Sequence, residues 1–113
     1  MAIPKPGKPV RGSLSGAPIM ALFDWLGCRW AMGIVWSLSD GPATFRALQS
    51  YCERKSGTIS PSILNSRIKD LRQAKLVERT LDGYQLTALG HELFKMIEPL
   101  GEWSRKWGKE IEE

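Results

Sequence analysis

A twelve-residue segment, CRWAMGIVWSLS at positions 28–39, decides most of what this chain can become. Trp30, Met32, Ile34, Val35, Trp36 and Leu38 leave almost no polar side on a helix of that length. A helix apolar on most of its surface belongs at the centre of a domain, with the remaining elements packed around it. Asp40-Gly41-Pro42 follows and forces a turn.

The neighbouring segments are amphipathic. Over residues 17–27, Ile19, Leu22, Phe23 and Leu26 recur at i, i+3, i+4 and i+7, and Gly27 ends the run. Thr44 caps a third helix that carries Phe45, Leu48 and Tyr51 and fades into the polar stretch ERKSGT. Ser60-Pro61 opens a fourth, reaching to about residue 75, with a capping hydroxyl and a ring whose fixed φ suits the first helical position. Val77–Thr80 and Tyr84–Thr87 are short β-prone runs around Leu81-Asp82-Gly83, a hairpin signal. Thr87 caps a further helix through Leu93, Met96 and Ile97, which Pro99 and Gly101 are expected to interrupt. Helices followed by a two-stranded hairpin and a last helix give a mainly α (α+β) chain with the plan of a winged helix-turn-helix.

Length and charge narrow the function. The 113 residues suffice for one domain and one modest core. No apolar run approaches the roughly 18 residues of a membrane span. Residues 1–16 are rich in Pro, Gly and Ser and hold Lys5, Lys8 and Arg11, which predicts a flexible basic tail and no secretory signal. Cys28 and Cys52 have no CxxC partner and the single His91 is distant from both, so neither a metal site nor a cofactor is expected. Unpaired thiols suit the cytoplasm. His91 has no nucleophile partner in the pattern, and the carboxylates form no acid–base pair, which argues against an enzyme. Residues 1–81 carry 12 Lys and Arg against 5 Asp and Glu, whereas residues 82–113 carry 4 against 7. The basic part predicts an anionic partner.

The helix after Ser60 carries the most chemistry. At 3.6 residues per turn, Leu64, Ile68 and Leu71 fall within one narrow sector and form a core stripe. Ser62, Ser66, Lys69 and Gln73 fall on the opposite side, with Asn65 and Arg72 flanking them. Arg67 lies beside the core stripe, and Ile63, between the faces, is expected half-buried. The outer face suits a major groove: Asn pairs two-point with adenine, Lys with guanine or phosphate, and Ser with either kind of edge. A solvated helix face would have the same composition, and only the helix's place before a hairpin favours the DNA reading.

In order and spacing, several motifs resemble those of the HxlR-type winged helix-turn-helix regulators of bacteria. They are Leu26-Gly27-Cys28-Arg29-Trp30, Gly41-Pro42 with Phe45, Ile59-Ser60, Leu76-Val77-Glu78-Arg79 and Leu86-Thr87-Ala88-Leu89-Gly90. The resemblance spans about residues 17–107. It implies a homodimer on double-stranded DNA, with a DNA-binding domain at 17–98 and a C-terminal dimerisation helix at 99–113. Carried over by position, residues 60–75 form the recognition helix, and Ser62, Asn65, Ser66 and Lys69 read bases. Ser60, Arg46, Arg67, Arg72, Lys75 and Arg79 would meet the phosphates. Ile19, Leu22, Phe23, Leu100, Trp103, Trp107 and Ile111 would form the dimer seam. Some members of the family sense oxidants through a cysteine just before the proline of the first helix. Here Ala17 precedes Pro18, so redox sensing does not carry over. The wing is short, and Asp82 at its tip would be repelled by phosphate, which argues against deep minor-groove insertion.

Trp103 and Trp107 stand one helical turn apart and fit an internal core, a dimer seam or a platform for a small apolar effector. An acidic terminal helix with little domain left to cover favours the seam. Trp25, Trp30 and Trp36 are expected in the core. Two rival functions use the same features: a winged-helix module that binds another protein, and a sensor of small apolar ligands whose DNA binding is secondary.

Overall fold

The structure, a computed structural model, describes residues 17–27 and 30–112. The expected basic tail at 1–16, as well as Cys28 and Arg29, lies outside them. The elements are α1 (Pro18–Leu26), α2 (Ala31–Leu38), α3 (Phe45–Ser56), α4 (Pro61–Gln73), β1 (Val77–Arg79), β2 (Tyr84–Leu86) and α5 (Ala88–Ile111). This is the expected winged helix-turn-helix.

Helix α2 takes the central place that its composition demands. Ala31, Ile34, Val35 and Leu38 are buried at i, i+3, i+4 and i+7. Around them α2 touches α1, α3, α4, β2 and α5. Leu48 and Cys52 of α3 and Leu64, Ile68 and Leu71 of α4 close the same core. Each such aliphatic side chain contributes about 1.5–3 kcal/mol on burial. Of the three tryptophans expected inside, only Trp25 is buried; Trp30 and Trp36 are half-buried at the rim. Trp36 rests edge-on against Phe94 of α5, with ring centroids 5.1 Å apart at 82°. An indole on a crowded helix reaches the rim more easily than the centre.

The polar residues at element ends act as the sequence predicts. The hydroxyls of Thr44, Ser60 and Thr87 accept from the N–H groups of Ala47, Ile63 and Gly90 at 3.1, 3.2 and 3.0 Å. Helix α3 outlasts its expected end and runs through Ser56, because Arg54 and Lys55 suit the negative end of its dipole. Helix α4 stops at Gln73. Lys75 then turns into the left-handed region (φ 64°), so its N–H reaches the carbonyl of Arg72 and that of Leu76 reaches Leu71.

The wing is a hairpin in the register Val77↔Leu86, Glu78↔Gln85 and Arg79↔Tyr84. Its loop end, where Tyr84 leaves the turn, is pinned to the α2–α3 connection by two backbone bonds between Ala43 and Tyr84, each 2.9 Å. Gly83 is needed for that approach: a Cβ there would stand 2.2 Å from the Ala43 carbonyl oxygen.

One expectation fails. Pro99 and Gly101 do not interrupt the last helix, which is continuous over 24 residues, about 36 Å at 1.5 Å per residue. Proline forfeits one hydrogen bond in a helix interior. Packing outweighs that loss, with Leu93 and Ile97 buried before the proline and Trp36 lying against the helix after it. Gly101 is where the indole crosses, since a Cβ there would meet Trp36 Cη2 at 2.9 Å.

The start of α5 is locked to the end of α4. The Thr87 N–H donates to the Leu76 carbonyl at 3.0 Å, and the Thr87 hydroxyl donates to the Lys75 carbonyl at 2.7 Å. Gly90 lets the two backbones close, as a Cβ would stand 2.2 Å from the Leu76 oxygen. Gly90→Ala is therefore expected to destabilise the fold by about 1–3 kcal/mol. That lowers the midpoint of thermal unfolding by roughly 4–8 °C per kcal/mol. An unchanged midpoint in calorimetry would refute the close approach.

Candidate nucleic-acid interface

Helix α4 turns its aliphatic stripe inward and its polar edge outward. Ser62, Asn65, Lys69, Arg72 and Gln73 are exposed, Ser66 is half-buried, and Leu64, Ile68 and Leu71 are buried. The four residues expected to read bases therefore share one side of one helix. Its N-terminal end is open: Ser60 and Ser62 are exposed, with hydroxyls 3.3 Å apart. Unpaired N–H groups and the positive end of the dipole suit an anion there. Ile63, expected half-buried, is instead exposed at 45%, because its sector of α4 lies beyond the core stripe of Leu64, Ile68 and Leu71.

A shallow groove of about 390 Å³ separates α4 from the wing, lined by Lys69, Arg72, Gln73, Val77, Glu78 and Arg79. Its single carboxylate, Glu78, accepts from Gln85 Nε2 at 2.6 Å, across the strands. The Arg79 guanidinium stands 5.9 Å over the Tyr84 ring. Three cations with little competing negative charge give this groove a positive character that suits an anion. Lys75 and Arg46 are exposed as well, on the α4–β1 connection and on α3. At the wing tip Leu81 is 97% exposed beside exposed Asp82, an apolar and acidic tip with no cation.

Arg67 differs from the other expected phosphate contacts. Its side chain is only 19% exposed, and its Nη1 donates to Asp70 Oδ2 at 2.7 Å. Asp70 is the one buried charged residue among those described, at 7% exposure. The pair lies inside α4's own turn, with the Arg67 Nε buried and unpartnered. The sequence reading missed Asp70, because a buried carboxylate leaves no apolar signature. The signal was Arg67 three residues before it, the spacing of a helical ion pair.

A second exposed surface is apolar. Ile19 and Phe23 of α1 and Leu100, Trp103, Trp107 and Ile111 of α5 are all more than half exposed. The Trp103 and Trp107 rings stack with centroids 6.3 Å apart at 10°. Leu22 is half-buried and lines a groove of about 280 Å³ with Leu76, Leu89, Leu93 and Met96. Leu89 and Met96, at 52% and 68% exposure, extend the surface. Sequence reasoning left them out although they share the α5 stripe of Leu100 and Trp103. Cys52 is buried, and burial first, then Glu53, pushes its thiol up, which suits an inert core residue.

The pattern of the HxlR-like helix-turn-helix family matches residues 25–112. The chain belongs to that family. HxlR-like proteins are DNA-binding transcriptional regulators rather than enzymes. A similar curated protein is an HTH-type transcriptional regulator, MJ0925, of Methanocaldococcus jannaschii. It is 25% identical over 88 residues, which cover 78% of this chain and 83% of that protein. Among solved structures, quinone-bound YodB of B. subtilis superposes with a TM-score of 0.68 at 31% identity, covering 78% of this chain and 96% of that one. A possible HxlR family transcriptional factor of Thermoplasma volcanium gives 0.65 at 28% identity, covering 81% and 85%. Among the described residues, no single helix is long and apolar enough to cross a membrane.

The Arg67–Asp70 pair holds α4 from within. Asp70→Asn leaves a buried guanidinium without its charge partner, and a loss of about 1–3 kcal/mol is expected. Urea unfolding checks it, and the same substitution in an Arg67→Leu background should cost distinctly less.

Proposed function

We propose that the protein is a cytoplasmic homodimer that binds specific double-stranded DNA and places residues 60–75 of each subunit in a major groove. Ser62, Asn65, Ser66 and Lys69 read base edges. Ser60, Arg46, Arg72, Lys75 and Arg79 position phosphates, and the groove beside α4 receives the backbone. Arg67 steadies the helix through Asp70 and reaches phosphate only by leaving it. The observation that carries this reading is the exposed Ser62–Asn65–Lys69 edge beside a groove whose three cations face a single, already engaged carboxylate. The apolar surface of Ile19, Phe23, Leu100, Trp103, Trp107 and Ile111, with Leu22 beneath it, is the dimer seam. Four stacked indoles across a twofold axis would contribute on the order of 2–3 kcal/mol each.

A protein-interaction module would use the same surfaces, but salt separates the two. Fluorescence anisotropy against the chain's own upstream DNA should show binding ~10³-fold or more tighter than to scrambled DNA. It should also weaken steeply as salt rises. Asn65→Ala with Lys69→Ala is expected to erase about 1–3 kcal/mol of discrimination per lost base contact, leaving thermal unfolding unchanged. A double variant that still selects the same site would place the reading face elsewhere.

The seam has its own check. Trp103→Asp with Trp107→Asp is expected to sediment as a folded monomer, whereas the parent chain sediments as a dimer. DNA binding should fall with it, because each half-site is then held singly. A double variant that remains dimeric would move the seam off α5.

A further inference from the structure

A second cleft, of about 440 Å³, opens between α2, α3 and α5. It is broad and open to solvent, and somewhat larger than the groove beside α4. Its walls are aromatic: Trp36 from α2 and Tyr51 from α3. Phe94 and Gly101 fix the indole from behind. Burial chiefly, then Asp40, raises the Tyr51 hydroxyl against a smaller opposing effect of Arg54, so the ring is a neutral wall.

Two glycines line the cleft. Gly101 admits the Trp36 ring, and a Cβ built on Gly33 meets nothing within 4 Å. A glycine inside a helix costs roughly 1 kcal/mol relative to alanine, and at Gly33 no neighbouring atom requires it. Empty space over an aromatic wall is what Gly33 supplies.

The charged groups lining the cleft are cations. Lys55 comes from α3 and Arg105 from α5, and no carboxylate lines the site. Among the described residues, neither cation is in an ion pair. The Lys55 Nζ stands 5.8 Å from the centroid of the Tyr51 ring. The Ser104 hydroxyl donates to the Gly101 carbonyl at 2.6 Å, which leaves its oxygen as an acceptor at the edge.

We propose that this cleft binds a small planar aromatic carboxylate, its ring against Trp36 and Tyr51 and its carboxylate between Lys55 and Arg105. The site lies apart from the reading face of α4 and does not depend on the DNA-binding assignment. A phosphodiester would use the two cations but would leave the aromatic walls unmatched. A neutral aromatic would use the walls and leave the cations unpaired. A planar ring that bears an anionic group satisfies both, and a carboxylate is the smallest such group that two neighbouring cations can share.

Isothermal titration of the full chain tests it, with naphthalene carboxylate as probe and its neutral carboxamide and inorganic phosphate as controls. The carboxylate is expected to bind saturably, and the carboxamide and phosphate at least about tenfold more weakly, the scale of a charge-assisted contact. Lys55→Gln with Arg105→Gln should weaken the carboxylate by a similar factor and leave the carboxamide unaffected. Gly33→Leu fills the open space and should abolish binding of both aromatic probes while circular dichroism stays unchanged. The proposal is overturned by no saturable heat, by equal binding of carboxylate and carboxamide, by phosphate binding as tightly as the carboxylate, or by a folded Gly33→Leu protein that binds normally.

Discussion

Burial of α2 is the interaction on which the other elements depend. Its aliphatic residues meet α1, α3, α4, α5 and the wing, so every functional surface is an outer face of something packed on that one helix. The domain is small, and its net stability is a slight difference between large opposing terms. A core gathered around a single helix leaves little redundancy. It also leaves the outer edges of α4 and α5 free to carry residues chosen for contact rather than for folding.

The second constraint is the joint between α4 and α5. Lys75, Leu76, Thr87 and Gly90 tie the end of α4 to the start of the long C-terminal helix by backbone contacts that tolerate no added side chain at position 90. The apolar stripe of α5 and the polar edge of α4 are thus carried on one rigid body. In a dimer formed through that stripe, the angle between the two reading helices would be set by this joint, not by a flexible linker.

Much of the fold was legible in the sequence because local and global signals agree. Thr44, Ser60 and Thr87 cap the helices that they precede, the Asp-Gly turn makes a hairpin, and the stripe of Leu64, Ile68 and Leu71 faces inward. The failures have physical causes. Pro99 reads as a breaker because the loss of one hydrogen bond is local, whereas the packing of Trp36 on Gly101 that outweighs it comes from a distant part of the chain. Gly83 reads as a turn residue, yet it is required by the approach of Ala43 rather than by a left-handed backbone. The burial of Asp70 is passed over in the sequence reading because it depends on a partner, and Arg67 is assigned to phosphate instead. The polar outer face of α4 itself follows from periodicity. The groove between α4 and β1 and the cleft over Trp36 are products of tertiary packing, and no one-dimensional pattern contains them.

The bridge between Ala43 and Tyr84 has a mechanical consequence. It fastens the loop end of β2 to the α2–α3 connection just before the cap of α3, while β1 follows α4 after a three-residue turn. Arg46, Lys69 and Arg79 therefore sit on one stiff frame, like the fixed jaws of a gauge. A partner that met all three would have to present its charges at matching intervals, because the frame does not flex to meet it.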